Sequence, residues 1–283
     1  MLSRKIKVKV RSLFPDLVDT VQRKLGRKDK SYAGEFGVLR EILNSLSIDG
    51  PVRFVDIGAG DGYNMSIAYP LSNFFSGEGL LIESNGVLLE KAKSLYKTNK
   101  GFYYHNELVS PFNISEIIRN YGFQNSLYIK IDIDSFDLDL LRAILDSGIK
   151  PRILSVEINE LFPPPVIFES RYNQDAYYSA PFYGCSLQAL INVTAKHKYK
   201  LVDLAFNNAF LVLHEDFDTH YPFLDQSPID IFRNGFLQSN WREHFPWHKK
   251  HDFAMPVDEL VRELRSEKNF SSKFMRLDVE ENL

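Results

Sequence analysis

Two stretches of this chain bring together residues with the types and spacing that chemistry needs. The first is Val55-Asp56-Ile57-Gly58-Ala59-Gly60-Asp61-Gly62. Glycines at a strand-to-helix turn let a ligand approach the backbone closely, and a carboxylate ending the next strand can accept hydrogen bonds from ribose hydroxyls. Glu83 lies 23 residues beyond Gly60, where such a carboxylate is expected. Asp56, Gly58, Gly60, Gly62, Glu83, Asn106 and Asp132 are therefore candidate cofactor contacts. A dinucleotide fingerprint would place a third glycine where Tyr63 stands, and Asp56 would lie close to a pyrophosphate it repels. An acid at that position suits a cationic ligand. The plain alternative is a glycine-rich turn that binds nothing.

The second stretch is Lys130-Ile131-Asp132-Ile133-Asp134-Ser135-Phe136-Asp137. Side chains alternate along a strand, so Lys130, Asp132 and Asp134 are expected on one face, near the carboxyl end where ligands of such sheets bind. The following strand ends Val156-Glu157-Ile158-Asn159. Asp134, Glu157 and Asn159 form a candidate oxygen set for a hard cation such as Mg2+ or Mn2+. Alternatively, Asp132 and Glu157 order loops or meet a bound amine. Asp132, Asp134 and His214 are the candidate catalytic groups, with Asp132 or a histidine as proton acceptor. His214 follows the last strand and His105 the third. His244 and His248 belong to a Trp-, Arg- and Phe-containing cluster, but Pro246 interrupts the helix that would align them, which points to surface packing.

The surrounding pattern must position these groups. A helical run over Phe36–Leu46 precedes a strand, Val52–Ile57, that runs straight into the glycines. Strands at 79–82, 102–104, 127–133 and 153–158 then alternate with helical stretches at 87–96, 114–121 and 138–145. That alternation implies a doubly wound, mostly parallel α/β sheet with helices on both faces. After a helix at 187–195, strands at 200–206 and 209–213 joined by Asn207-Asn208 should form a hairpin, completing seven strands with a terminal antiparallel one. Three regions follow: a basic N-terminal arm over 1–35, one α/β domain over 36–215 with a long loop at 159–184, and an extension over 216–283 packed on that domain. A loop of that length is often a lid or a binding loop.

Composition limits the alternatives. Of 283 residues, 44% are apolar, which supports a packed core, and a net charge of −3 argues against a nucleic-acid binder. The single cysteine, Cys185, excludes an internal disulfide and suits a reducing cytoplasm. No stretch is long and apolar enough to be a membrane span. The first thirty residues carry ten Lys or Arg, as expected for a solvated arm or for contact with an anionic membrane surface. The partner expected from this composition is a small molecule or a glycan. A homo-oligomer is compatible with the sequence.

The glycine stretch, the acid Glu83 and the closing hairpin together resemble class I S-adenosylmethionine (SAM)-dependent methyltransferases. In that group the glycine loop holds the methionine part of SAM and the acid holds the ribose. Lys130-Ile131-Asp132-Ile133-Asp134-Ser135 further resembles the FkbM-type enzymes, and its paired acids resemble the metal-dependent sugar O-methyltransferases. The similarity covers about Val52 to Leu213, including Tyr183-Gly184-Cys185-Ser186-Leu187 and Asn208-Ala209-Phe210. Asp134 stands where the FkbM-type family usually has Glu, and Ser135 where it usually has Gly. The resemblance implies SAM as cofactor and methylation of a hydroxyl on a sugar, glycan or related natural product, with Mg2+ or Mn2+ as an assisting ion. Two other readings stay open: a nicotinamide-dependent oxidoreductase or epimerase of a sugar, and a methyltransferase-like protein that binds without catalysis.

Overall fold

The computed structural model describes residues 29–174, 181–244, 255–268 and 270–280. Helix α1 (Glu35–Ser45) leads into β1 (Arg53–Ile57), and four further strands follow: β2 (Glu78–Ile82), β3 (Phe102–His105), β4 (Tyr128–Ile131) and β5 (Ile153–Glu157). The helices between them are α2 (Ala68–Phe74), α3 (Gly86–Leu95), α4 (Ile114–Asn120) and α5 (Asp137–Asp146). Strand β6 (Val166–Ser170) and helix α6 (Leu187–Lys196) precede the hairpin β7 (Tyr199–Ala205) and β8 (Asn208–Leu213). Helices α7 (His214–His220), α8 (Pro228–Phe232) and α9 (Val257–Ser266) and strand β9 (Met275–Val279) complete the described chain.

The main sheet has seven strands in the order β3-β2-β1-β4-β5-β8-β7. Strands β1 to β5 pair in parallel, whereas β8 lies antiparallel to both β5 and β7. This is the mostly parallel sheet with a closing antiparallel strand that the sequence leads one to expect. Its central strands are apolar on both faces because each face is covered by helices. Val55, Ile57, Ile129, Ile131, Leu154 and Val156 share one core with residues of α4, α5 and α6. Phe54, Tyr128 and Ile153 face the other core, which α1 fills with Phe36, Leu39, Ile42 and Leu43.

Three local expectations change. Strand β4 ends at Ile131, two residues early, because the Asp137 carboxylate accepts hydrogen bonds from the backbone N–H groups of Ile133 and Ser135 and bends the chain away. The hairpin turn is Phe206-Asn207, one residue earlier than expected, with Phe206 in the left-handed region at φ 59°. Its ring packs edge-on against Tyr32 and lies 5.1 Å from that of Phe236, contacts that hold an aromatic residue in a conformation it seldom adopts.

The third change concerns the expected loop at 159–184. Within it, β6 pairs antiparallel with β9 in a separate two-stranded sheet. Phe162 stacks on Phe168 at 4.0 Å, and both join Phe182 in a small core with Val261 and Leu264 of α9. A partner strand about a hundred residues away leaves no local periodic signal. The basic segment up to residue 28, residues 175–180 and the end of the Trp241–His248 cluster, including His248, lie outside the described residues. Among the described residues no helix is long and apolar enough to cross a membrane.

Candidate active site

Parallel strands bring their carboxyl ends to one edge, and the candidate residues gather there. At the end of β1, Gly58 has φ 86°, and a β-carbon on it would lie 1.8 Å from the carbonyl oxygen of Asp132. The glycine loop therefore rests directly on the chain leaving β4. Gly60 (φ 57°) has open space where a side chain would project, while a side chain at Gly62 (φ 68°) would press on Ala92 of α3 and on Tyr96 at its end. The Gly60 N–H donates to Glu83 Oε2 at 2.9 Å, and the Asn85 N–H donates to Glu83 Oε1 at 2.7 Å. Glu83 is thus fixed beside the glycines, with acceptor capacity remaining on both oxygens. Asn106 donates to the carbonyls of Glu83 and Ser84, so it shapes the loop that holds this acid.

Asp56 is buried under the loop with no hydrogen-bond donor on Oδ1. Burial pushes its carboxyl up to about 6, against the pull of Lys130, its neighbour across β1 and β4. Lys130 Nζ, also buried, lies 3.0 Å from Glu35 Oε1 and 3.1 Å from Asp132 Oδ2. Burial alone would lower its pKa, but Glu35, Asp132 and Asp56 together hold it well above the usual lysine range. Burial raises Glu35 to about 7 even with this cation beside it. The expected proximity of Asp56 to a positive charge is therefore already met from inside the fold.

Carboxylate oxygens of Asp132, Asp134 and Glu157 all lie within 4.8 Å of one another. Asp134 is on the solvent side in the left-handed region at φ 55°, which turns it towards β5 after the strand has ended. Glu157 is only 8% exposed: Asn207 Nδ2 donates to its Oε1 at 2.8 Å, and no donor reaches Oε2. Burial, then the charges of Asp132 and Asp134, raise Glu157 well above the carboxylate range; desolvation and Asp132 raise Asp134. Three acids converging around an unpartnered oxygen, with Lys130 bound to only one of them, are the donor set a hard cation prefers.

Asn159, expected in that set, has its side-chain amide engaged on the following segment. Its amide donates to the carbonyls of Pro181 and Tyr183 at 2.7 and 2.9 Å, and its Oδ1 accepts from the Leu161 N–H. It ties down the 159–184 segment. Gly184 in turn donates to the Ser135 carbonyl at 2.6 Å, bringing the Tyr183–Leu187 stretch against the Asp134 turn.

His214 is also misplaced by the sequence reading. Strand β8 runs against β5, with Asn208 level with Glu157 and the Leu213 N–H bonded to the Arg152 carbonyl, so the residue after β8 emerges at the opposite edge. Roughly 20 Å along the strand direction separates it from Glu157, and its Nε2 lies 3.1 Å from Asp218 one helical turn away. His105 ends β3, three strands from β4, with Glu107 at 2.9 Å.

The same reversal brings in residues that the sequence reading missed. Asn207 and Asn208, in and just after the β7–β8 turn, land beside Glu157. Tyr32 and Tyr183 have pKa values raised by burial and then by Glu160 and Glu157, which places both hydroxyls near the acidic cluster. Glu35 could have been found: with Leu39, Ile42 and Leu43 it shares the apolar face of α1, where an isolated acid needs a partner.

A dinucleotide phosphate binds best at a helix N-terminus opening directly from the glycine turn. Here α2 starts only at Ala68, after Asp61 has capped a turn by accepting from Tyr63 and Asn64. For SAM the residues fit better: open backbone over Gly60 and an anchored acid in Glu83.

No family model and no curated protein matches the chain. Solved structures resemble parts of it. The cyclase SpnF is 14% identical with TM-score 0.39 over 59% of each chain. Precorrin-6y C5,15-methyltransferase from Geobacter metallireducens is 14% identical with TM-score 0.38 over 61% of this chain and 84% of its own. A SAM-dependent methyltransferase from Clostridium acetobutylicum is 14% identical with TM-score 0.42 over 70% of this chain and 98% of its own.

Proposed function

We propose that this chain is a SAM-dependent methyltransferase that acts on a hydroxyl of a sugar, glycan or related natural product, assisted by Mg2+ or Mn2+. The observation that carries this reading is the contact of Gly58 with the Asp132 backbone, which makes the glycine loop and the three-carboxylate cluster walls of one site. Gly60 would admit the methionine part of the cofactor, Glu83 the ribose hydroxyls, and Asp134 and Glu157 the ion, beside Asp132. When bound, SAM supplies a transferable methyl group on a sulfonium and the divalent ion lowers the pKa of a neighbouring hydroxyl.

The chain's own task is to align an acceptor oxygen and remove its proton. Asp132 is held through Oδ2 by Lys130, which leaves its other oxygen to take that proton. Tyr32, Tyr183 and Asn208 offer polar groups near the same cluster for an acceptor rich in hydroxyls.

The test is conversion of SAM to S-adenosylhomocysteine on a panel of sugars and glycans, with Mn2+, Mg2+ or chelator. Metal-dependent turnover that Asp134→Asn abolishes supports the reading. Because the raised carboxyls of Glu157 and Asp134 must be ionised to bind a cation, Mn2+ affinity should rise as pH rises above the ordinary carboxylate range, by up to about tenfold per unit for each proton released. Affinity independent of pH, or unchanged in Glu157→Gln, would remove the ion from the reading. SAM binding with no turnover on any acceptor would favour a binding protein.

A further inference from the structure

We infer that Asn208 supplies, through its amide oxygen, a neutral ligand to the ion that Asp134 and Glu157 hold. The inference rests on the ion of the proposed function and not on methyl transfer. Glu157 and Asn208 face each other across β5 and β8. Directly opposed residues of an antiparallel pair point to the same side of the sheet, with β-carbons about 4.5–5.5 Å apart. The Asn208 side chain therefore lies on the side from which Glu157 meets Asp132 and Asp134.

Neither Glu157 Oε2 nor Asn208 Oδ1, both buried, is reached by a hydrogen-bond donor. The direction of the Asn208 amide follows from a chain of contacts that starts at the acid. Asn207 Nδ2 donates to Glu157 Oε1 at 2.8 Å, so the other end of that amide, Asn207 Oδ1, is an acceptor. Asn208 Nδ2 reaches it at 3.5 Å, a long contact with the right sense; turned round, the Asn208 amide would set two oxygens against each other. Its Oδ1 is thereby left for a further donor or a cation. The backbone holds the pair in place, with the Ile158 N–H donating to the Asn207 carbonyl at 2.7 Å.

Burial and chemistry select the occupant. Asn208 is 0% exposed and Glu157 8%, so a single ion reaches these oxygens more readily than the ring of a sugar. Hard cations take six or more oxygens, from carboxylates and Asn carbonyls alike, so the carboxylates of Asp134 and Glu157 leave the set short. Asp132 is already engaged at Oδ2 by Lys130, and the Asn159 amide is tied to the carbonyls of Pro181 and Tyr183. Among the described residues no imidazole or thiol joins the cluster, which favours Mg2+ or Mn2+ over softer metals.

The test titrates Mn2+ alone, without SAM or acceptor, into the full chain, Asn208→Leu and Asn208→Asp. Bound metal is read from loss of the free ion's paramagnetic resonance signal, and circular dichroism checks each fold. Leucine is close to asparagine in size and removes the oxygen; ionised aspartate keeps an oxygen but cannot donate to Asn207. The expected result is Mn2+ affinity at least about tenfold weaker in Asn208→Leu, and at or above the wild-type value in Asn208→Asp. Wild-type affinity in Asn208→Leu overturns the inference and leaves the ion to Asp134 and Glu157. Equal loss in both variants also overturns it, because the amide would then act by donating to Asn207 and so positioning Glu157. No Mn2+ binding by the wild type removes the inference together with the ion, while SAM binding, measured separately, decides the rest of the proposed function.

Discussion

Gly58→Ala and Gly60→Ala should separate the structural from the binding role of the glycine loop. At Gly58 the added methyl would meet the Asp132 carbonyl oxygen at 1.8 Å and its carbon at 2.8 Å, with φ at 86°. Left-handed backbone costs an alanine about 1–2 kcal/mol, and forcing extra volume against packed atoms about 1–3 kcal/mol more. The atoms that must yield belong to the backbone leaving a central strand, where the Asp132 N–H donates to the Ile57 carbonyl at 3.0 Å. A loss of about 2–5 kcal/mol is expected, a large fraction of an ordinary domain's stability. At Gly60, φ is 57°, within the range where non-glycine residues do occur, and nothing lies within 4 Å of the added methyl. The cost there should be about 1 kcal/mol. Its consequence should appear in binding, with SAM affinity reduced at least about tenfold as the methyl fills the space over the backbone. Urea unfolding of both variants, with calorimetry of SAM binding to Gly60→Ala, measures each part. Equal destabilisation of the two variants, or wild-type SAM affinity in Gly60→Ala, would refute the argument.

The buried charges make further predictions. Lys130→Met strands Glu35, Asp132 and Asp56 without their cation and should cost about 3–5 kcal/mol in urea unfolding; adding Glu35→Gln should recover part of that loss. The Asp56 carboxyl, raised by burial to about 6, gives a defined sign. Its protonation contributes stability that is fully present below its unfolded value of about 4 and is lost as pH rises through about 6. Unfolding free energies measured from pH 4 to 8 should therefore fall less steeply in Asp56→Asn than in the wild type. His214→Ala, at the far edge of the sheet, should leave turnover unchanged; a drop of tenfold or more would contradict the placement of β8.

The elements visible in the sequence were those whose signal is local. Strand β1 reads as an apolar run ending in glycines, and Glu83 sits where the next strand must end, so the meeting of the glycine loop with that acid could be drawn from spacing alone. Strand alternation likewise brought Asp132 and Asp134 to the edge. It failed where the chain leaves the strand: Asp137 ends β4 early, and the left-handed turn at Asp134 sets that carboxylate's direction. His214 and Asn208 illustrate the other limit. Both flank β8, and only its antiparallel course decides that Asn208 reaches the acids while His214 does not. The β6–β9 sheet depends on residues far apart in sequence, and the apolar character of each strand says nothing about its partner. Glu35 was legible but overlooked, as an acid on the buried face of an otherwise apolar helix stripe.

The account rests most directly on the ligand of the glycine loop. Calorimetric titration of the full chain with SAM, S-adenosylhomocysteine and NAD, repeated on Asp56→Ala and Glu83→Ala, addresses it. Micromolar binding of SAM or S-adenosylhomocysteine, lost in both variants and absent for NAD, is the predicted result. Preference for NAD, or no binding of SAM with or without Mn2+, would contradict it.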